Sequence, residues 1–322
     1  MNIKEHIVNL DLPAEHRWDF LSDYHDEIDD LLECYLNDFE GAELIFESID
    51  MYKELVIPQD YIKEASSIAA ISKFSENEVL IANLYYDVLK FYFGCTAFAV
   101  TNESTVLHAR NLDWHTENNL LSEHTRIFNY QRGGRTIFKT VGWVGFIGAL
   151  SGIKPGSFSV TLNAVLSNDS PEIAYPISFL LRDVLDVCSN YEQALQKLQE
   201  TTIASDCLLL LSGISSNEKA VIERTPKRQA TRFSTGSTIV VTNDYKELDN
   251  NETSESILQS TSCGRFDRAS ELINNNGIMN SSDCIKVLQD QNVMMGITVQ
   301  QMCFNNTTGE IVVLKNAGNT TS

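Results

Sequence analysis

The feature that most constrains the fold is a change of residue pattern at Gly94. Before it, apolar residues recur at helical spacing, as over 27–46. The residues Ser75-Glu76-Asn77-Glu78 form a capping-box pattern that opens an apolar helix predicted over 79–93. After Gly94, short apolar runs alternate with turn residues, which is typical of strands. The pattern predicts a helical amino-terminal segment followed by a mixed α and β domain.

The second region contains strand candidates with helices between them. Gly133-Gly134 between two apolar runs is a strong hairpin signal. The predicted strands are 95–101, 105–110, 125–131, 135–141, 157–165, 207–212, 220–224, 238–242, 297–304 and 311–315. The predicted helices are 177–187, 191–200, 256–274 and 281–289.

Cys95 stands at the first residue of the first predicted strand. All six histidines lie within the first 124 residues, so none follows Cys95 at the distance where a papain-type protease places its base. A catalytic Cys95 therefore needs another base. The simplest is its own α-amine, freed by cleavage after Gly94, because such an amine titrates at about 7.7–8.0. Taken alone, the segment favours a structural cysteine, since free cysteine usually packs as a small buried hydrophobe.

Composition and spacing exclude several classes of function. The 322 residues contain 24 Lys and Arg against 44 Asp and Glu, and the net charge of -20 repels phosphate backbones and anionic lipids. No nucleic-acid partner and at most transient membrane contact are expected. The sequence has no phosphate-binding loop or dinucleotide fingerprint. It also has no C-x-x-C pair, and His108 and His115 are poorly spaced for zinc. Neither a cofactor nor a metal is expected.

The amino terminus lacks the apolar core of a signal peptide, and no apolar run is long enough to span a bilayer. The longest candidate, 141–150, is short and interrupted by glycines. We therefore expect a cytoplasmic protein, or one exported by a route without a classical signal peptide.

An ordered series of short motifs carries a family resemblance. The motifs lie at 8–13, 17–18, 68–70, 94–96, 108–113, 131–139, 152–163, 241–245 and 265–269. In this order they resemble the acid ceramidase and N-acylethanolamine-hydrolysing acid amidase family of amino-terminal-nucleophile cysteine hydrolases, which are related to choloylglycine hydrolases. The resemblance implies an α+β fold, a four-layer αββα sandwich with a helical amino-terminal segment. It also makes a catalytic Cys95 the favoured interpretation.

The resemblance further implies where the chain is cut and which residues act. Self-cleavage between Gly94 and Cys95 would give an α-subunit-like segment, 1–94, and a β-subunit-like catalytic domain, 95–322, which stay associated. The matching residues are Cys95 as nucleophile, Arg110 to stabilise the thiolate and lower its pKa, Asp113 to hold the α-amino group, Asn243 as oxyanion donor and Arg265 as the distal arginine of the site.

Each of these residues also has an ordinary structural interpretation. Arg110 and Asp113 are compatible with a surface ion pair worth less than about 1 kcal/mol. Asn243 is compatible with a turn residue, and Arg265 and Arg268 with the solvated face of a helix.

One position departs from the family pattern. Where the animal relatives have a glutamate after the position of Asn163, this chain has Ala164. Arg110 therefore lacks its expected carboxylate partner. Either another acid, Asp169 or Glu172, replaces it, or the site is tuned for a different pH optimum.

The resemblance implies an amidohydrolase that cleaves the linear amide bond of fatty-acyl amides, either ceramide or N-acylethanolamine, through a thioester on Cys95. The expected partner is thus a fatty-acyl amide or lipid substrate. Two alternatives are a bile-salt or penicillin V acylase-like amide hydrolase and a catalytically silent lipid-binding relative. The acylase-like hydrolase would prefer bile salts or penicillin V to fatty-acyl amides. The silent lipid-binding relative would have no need of cleavage after Gly94.

Overall fold

The computed structural model describes residues 3–39, 43–89, 93–102, 105–114, 119–249, 257–277 and 280–315. These residues form two β-sheets with helices on their outer faces. The helices are α1 His25–Asn37, α2 Glu43–Leu55, α3 Gln59–Ala69, α4 Glu76–Asn83, α5 Tyr85–Leu89, α6 Leu120–Glu123, α7 Ile177–Val187, α8 Tyr191–Glu200, α9 Ile257–Asn276 and α10 Ser281–Leu288, with 3-10 turns at Ala14–His16 and Asp19–Tyr24. The strands are β1 Glu5–Asn9, β2 Phe93–Thr101, β3 Val106–Trp114, β4 Thr125–Arg132, β5 Arg135–Trp143, β6 Ser151–Lys154, β7 Phe158–Asn163, β8 Cys207–Ser212, β9 Lys219–Arg224, β10 Gln229–Phe233, β11 Thr238–Val241, β12 Thr298–Asn305 and β13 Ile311–Lys315.

The strands pair into a larger sheet of eight and a smaller sheet of five. The larger sheet has the order β1-β4-β5-β6-β7-β8-β9-β10 and the smaller the order β11-β2-β3-β12-β13. Strands β1 and β4 run parallel, whereas β2 and β3, like β4 and β5, are antiparallel. Because β1 lies in the amino-terminal segment, this segment contributes an edge strand to the larger sheet.

Four layers follow from the contacts between elements. Strand β2 packs on β7 and β8 across the interior, helices α7 and α8 cover the larger sheet, and α9 and α10 cover the smaller one. Side chains alternate along each strand, so β7 turns Phe158 and Leu162 into the apolar cluster that includes α7, while Thr161 contacts His108 of the smaller sheet. The predicted αββα sandwich is therefore confirmed.

The amino-terminal segment is mostly helical, as predicted, but two helix boundaries were wrong. The helix predicted over 27–46 ends at Asn37, and a second helix begins at Glu43; residues 40–42 lie outside the described part of the chain. The capping box of Ser75 and Glu78 is present at the start of α4. The helix that follows breaks at Leu84, and Phe93 already belongs to β2. Within the described residues, no helix has both the length and the apolar character needed to cross a membrane.

A buried ionic cluster ties the amino-terminal segment to the rest of the molecule. Glu64 on α3 is fully buried and accepts hydrogen bonds from Arg182 Nη2 on α7 at 2.8 Å and from Trp18 Nε1 at 2.7 Å. Arg17 Nη1 donates to the same carboxylate at 2.9 Å. Burial by itself raises the pKa of Glu64, but Arg182 and the other donors hold the pKa below its usual value. The carboxylate is thus ionised and paired at neutral pH.

Removing this carboxylate should destabilise the fold. Glu64→Ala leaves the Arg182 guanidinium buried without its charge partner, which typically costs about 3–5 kcal/mol. The free energy of unfolding from denaturant titration checks this. The matched variant Glu15→Ala removes an exposed carboxylate 3.6 Å from Lys63 and should leave the free energy of unfolding almost unchanged, because water screens exposed ion pairs. Equal effects of the two substitutions would contradict a structural role for the cluster.

Candidate active site

Cys95 lies at the start of β2, between the two sheets. It pairs with Leu112 of β3, and its side chain is only 1% exposed. Its Sγ lies 2.8 Å from Arg110 Nη2 and 3.8 Å from the carbonyl oxygen of Leu162 on β7. Leu112 and Leu162 belong to the same apolar cluster as Cys95. The sulfur therefore contacts a cation and a backbone carbonyl oxygen.

Arg110 joins the smaller sheet to the larger one. Its guanidinium is fully buried, and Nη1 donates to the carbonyl oxygen of Leu150 at 2.9 Å and to Ser151 Oγ at 2.7 Å. Nη2 donates to the carbonyl oxygen of Leu162 at 2.8 Å as well as to Cys95. These are neutral acceptors around a buried cation, so a negative sulfur is the charge partner that this geometry accommodates.

The prediction that Asp169 or Glu172 replaces the missing family glutamate is wrong. Asp169 accepts from Arg228 Nε at 2.8 Å, and Glu172 lies 3.8 Å from Lys227 Nζ. The physical reason is that the backbone carbonyl oxygens of Leu150 and Leu162 already accept hydrogen bonds from Arg110, so no acid is needed there.

In the intact chain burial raises the pKa of the Cys95 thiol overall, although Arg110 lowers it as predicted. The effect of the Arg110 cation only partly offsets that of burial. The thiol is therefore protonated at neutral pH while Cys95 remains in an uncut chain.

Asn243 and Arg265 contact the main chain of Cys95. The Cys95 amide N–H donates to Asn243 Oδ1 at 3.1 Å, and Arg265 Nη2 donates to the same oxygen at 2.7 Å. Two donors on one oxygen determine the orientation of the amide group, and Nδ2 donates to the carbonyl oxygen of Ala164 at 2.7 Å. Arg265 Nη1 donates to the Cys95 carbonyl oxygen at 2.6 Å. Asn243 therefore lies on the nitrogen side of Cys95, and its amide donor is engaged by Ala164 in the intact chain.

Asp113 lies opposite Gly94 in the pairing of β2 with β3. It is fully buried; Thr298 Oγ1 donates to its Oδ1 at 2.5 Å, and Oδ2 has no hydrogen-bond partner among the described residues. Burial raises the pKa of Asp113, and Arg265 opposes the rise. A buried carboxylate oxygen beside the Gly94–Cys95 bond is suited to receive an ammonium group formed there.

The strand predicted to begin at Cys95 begins two residues earlier, at Phe93, and the five predicted site residues converge at Cys95, near the start of β2. The sequence analysis missed two supporting hydroxyl groups. Ser151 accepts from Arg110, and Thr298 donates to Asp113. Ser151 immediately precedes the motif at 152–163, and this position could have identified it as a site residue. No sequence signal pointed to Thr298, which comes from a strand far along the chain.

No described histidine hydrogen-bonds to Cys95. His108, two residues before Arg110 on β3, has Nε2 2.8 Å from Thr161 Oγ1 and Nδ1 2.9 Å from Ser159 Oγ. Burial, helped by the Arg110 charge, lowers the pKa of His108 to about 3. His115 lies outside the described residues. Within the described part of the chain, no group of His, Cys, Asp and Glu side chains is placed to hold a metal ion.

Comparison with known protein families identifies the family of the chain. The family model of acyl-coenzyme A:6-aminopenicillanic acid acyl-transferase matches residues 100–319. The chain belongs to this acyl-transferase family. The match covers Arg110, Asp113, Asn243 and Arg265, and it begins five residues after Cys95.

Curated relatives of this family member support the resemblance found in the sequence. Acid ceramidase of Balaenoptera acutorostrata scammoni is 30% identical over 248 residues, which are 67% of this chain and 62% of that protein. Acid ceramidase of Homo sapiens is 28% identical over 251 residues, which are 68% of this chain and 63% of that protein. The chain thus spans less than two thirds of the relatives it matches, and the predicted family resemblance is confirmed.

A solved structure shows the same fold. The Caenorhabditis elegans N-acylethanolamine-hydrolyzing acid amidase ortholog superposes with a TM-score of 0.55 at 24% identity, covering 65% of this chain and 92% of that one. At this identity the likeness establishes the fold of this family member.

The buried histidine gives the acyl-transferase family member a defined pH response. A histidine with a folded pKa of about 3 and an ordinary unfolded value near 6.5 stabilises the fold fully above pH 6.5 and loses that contribution as the pH falls towards 3. Below about pH 6 the loss from this residue approaches about 1.4 kcal/mol per pH unit. His108→Gln should therefore flatten the decline of unfolding free energy between pH 6 and pH 4. The control His16→Gln, at an exposed site, should leave the slope unchanged. A His108→Gln slope equal to that of the unaltered chain would contradict this assignment.

Proposed function

We propose that the chain is an amide hydrolase that forms a thioester on Cys95 after cleavage between Gly94 and Cys95. One observation carries the proposal: Arg110 contacts the sulfur of Cys95, while Asn243 and Arg265 contact its main-chain nitrogen and oxygen. A nucleophile, its prospective amine and two cations thus converge at one residue. The relatives described as acid ceramidases support hydrolysis of an amide.

The base for this reaction is the α-amine of Cys95. No described histidine hydrogen-bonds to the thiol, and the Asp113 carboxylate is held by Thr298 on the strand β12. An α-amine attached to the nucleophile itself lies within reach of the thiol proton and has a pKa near neutrality, about 7.7–8.0.

Cleavage releases this amine in two steps. The Cys95 sulfur attacks the Gly94 carbonyl carbon, the C–N bond breaks, and the nitrogen takes the thiol proton to become an amine. Water then hydrolyses the Gly94 thioester, leaving a carboxylic acid on Gly94 and a free thiol on Cys95. Arg110 stabilises the negative charge that develops on the sulfur 2.8 Å away.

Turnover repeats the same chemistry on a substrate. The amine takes the thiol proton, the thiolate attacks the acyl carbon of the substrate, and the resulting ammonium returns the proton to the leaving nitrogen. Water hydrolyses the acyl thioester and regenerates the thiol. Asp113 holds the ammonium, and Asn243 donates to the oxyanion once its Nδ2 exchanges the Ala164 carbonyl for the substrate, a contact worth about 3 kcal/mol in the transition state.

The two fragments stay associated after cleavage. Strand β1 of the amino-terminal segment remains paired with β4 of the catalytic domain, and the Glu64–Arg182 ion pair joins α3 to α7. Neither contact involves the bond that is cut.

Fatty-acyl amides, either ceramide or N-acylethanolamine, are the proposed substrates. Cys95 belongs to an apolar cluster that also contains Trp143 and Trp114, whose rings lie 5.3 Å apart in an edge-on arrangement. An acyl chain placed there gains about 0.8 kcal/mol for each CH₂ group removed from water.

Substitution of the nucleophile tests the reaction. Cys95→Ala should abolish both cleavage after Gly94 and release of fatty acid from an N-acyl amide, because sulfur and thiol proton are both lost. Mass spectrometry of the chain and of the products measures the two effects. Cys34→Ala, at a half-buried thiol outside the site, should change neither. Hydrolysis by the Cys95→Ala protein would refute the proposal.

A series of acyl chain lengths tests the substrate class. The rate on N-acyl amides should rise with length until the apolar site is full, by about fourfold per CH₂ at first, as the burial of one CH₂ group predicts. A rate that is flat in length, with conjugated bile salts or penicillin V preferred, would move the chain to the acylase-like alternative. Lipid binding without any turnover would indicate a silent relative.

A further inference from the structure

The pairing of β12 with β3 brings Thr298 to Asp113. The two residues are direct partners, and the register shifts between Thr298 and Gln300, so that two steps along β12 oppose one step along β3. Such a β-bulge turns a side chain to a new direction and is frequent next to active sites. Thr298 is only 3% exposed, and its hydroxyl donates to Asp113 Oδ1 at 2.5 Å. The contact therefore joins two buried side chains beside the Gly94–Cys95 bond.

The turn before β12 fixes the direction in which the Thr298 hydroxyl donates. The main-chain N–H of Met295 donates to Thr298 Oγ1 at 3.0 Å, and the Thr298 N–H donates to the Met295 carbonyl oxygen, also at 3.0 Å. A hydroxyl group carries one proton. Because the turn uses Oγ1 as an acceptor, this proton is directed to Asp113.

We propose that Thr298 is a positioning residue of the site: it holds Oδ1 of Asp113, so that Oδ2 remains for the α-amine of Cys95. The inference rests on the proposed cleavage and amide hydrolysis. It gives the two oxygens of one carboxylate different roles, and Thr298 acts through this carboxylate.

The surroundings of Asp113 agree with this division. With Oδ1 held, Oδ2 is the oxygen that has no hydrogen-bond partner within the described part of the chain. Asp113 lies opposite Gly94 in the pairing of β3 with β2, so the nitrogen released by the cleavage forms next to this carboxylate. The ammonium therefore meets one defined oxygen, and a buried ammonium needs such a partner.

The groups that face Asp113 decide whether its carboxyl group is ionised. Burial raises the pKa of Asp113, and Arg265 on α9, the Thr298 hydroxyl and Arg110 on β3 each oppose the rise. The Cys95 thiolate, once formed, is a like charge on the neighbouring strand and favours the neutral carboxyl. Loss of the Thr298 hydroxyl therefore raises the pKa of Asp113 further.

The pH dependence of turnover tests the role of Thr298. Thr298→Val keeps the shape of the side chain and removes its hydroxyl. The carboxylate, amine and thiol, which titrate together, then take up a proton at a higher pH, and the acid limb of the kcat/KM profile moves to higher pH. On N-dodecanoylethanolamine the midpoint of this limb should rise by about one pH unit, the tenfold change in protonation expected for loss of a hydrogen bond to a charged group.

Two further substitutions at this position separate the hydroxyl from the packing. Thr298→Ser keeps the hydroxyl and should keep the midpoint of the unaltered protein, whereas Thr298→Ala, which differs from it by one oxygen atom, should show the shift. This second pair decides the point even where Thr298→Val does not fold.

Thr125→Val is the matched control. It removes another fully buried hydroxyl, which donates to the carbonyl oxygen of Leu121 at 2.7 Å and accepts from Gln300 Nε2 at 2.9 Å. Both partners are neutral, so the substitution should lower the stability and leave the midpoint unchanged.

An unchanged midpoint in folded Thr298→Val, or an equal shift in Thr298→Ser or Thr125→Val, would overturn the assignment and leave amide hydrolysis intact. Cleavage after Gly94 should still occur in Thr298→Val, because the amine exists only after the cut, and a folded variant that stays uncut would overturn the assignment as well. Absence of turnover by the unaltered protein on every N-acyl amide would instead overturn the proposed function, and the inference with it.

Discussion

The guanidinium of Arg110 is the interaction on which the arrangement of the site depends. It emerges from the smaller sheet and donates to the carbonyl oxygens of Leu162 on β7 and of Leu150, the residue before β6, so it joins the two sheets next to Cys95. The same group touches the Cys95 sulfur. A buried cation surrounded by neutral acceptors is costly unless an anion joins it, and ionisation of Cys95 supplies one. Structural bridging and activation of the nucleophile are thus two consequences of one side chain.

In the uncut chain, Cys95 and Asp113 are not in the ionised forms that the proposed reaction uses. Burial keeps the pKa values of both Cys95 and Asp113 above their usual ranges, which favours the neutral form of each group. The proposed cleavage after Gly94 would convert an amide nitrogen into an ammonium between the two. A new positive charge at that point favours the ionised thiol and the ionised carboxylate together. In this account, cleavage supplies the α-amine of Cys95 as the base, and its ammonium form supplies the positive charge that the buried site lacks.

The sequence analysis was most successful where a local pattern determines local structure. The helices at 177–187 and 191–200 and the hairpin at Gly133-Gly134 appear where they were predicted, and both glycines have positive φ, which side-chain-bearing residues avoid. Strands β1, β6 and β10 were missed. Strands β1 and β10 lie at the edges of the larger sheet, where tertiary pairing determines the conformation, and β6 has only four residues.

The site was predictable only in part, for a similar reason. The family resemblance supplied Cys95, Arg110, Asp113, Asn243 and Arg265, and the fold brings all five to one end of the smaller sheet. The partners of Arg110 were mispredicted because they are backbone carbonyl groups, which carry no residue-type signal. The net rise in the pKa of Cys95 was not predicted because spacing reveals a nearby cation but does not reveal complete burial. Long-range packing, and not the local residue pattern, determines both the hydrogen-bond partners of Arg110 and the pKa of Cys95.

The central claim is that the acyl group is carried by a cysteine whose own amine is free. The most direct measurement traps the acyl-enzyme: the protein is mixed with an N-acyl amide, quenched in acid during turnover and analysed by peptide mass spectrometry. The account predicts that the acyl mass lies on a peptide whose first residue is Cys95, with an unmodified α-amine. An acyl group on Cys95 still joined to Gly94, or on another cysteine of the chain, would contradict it.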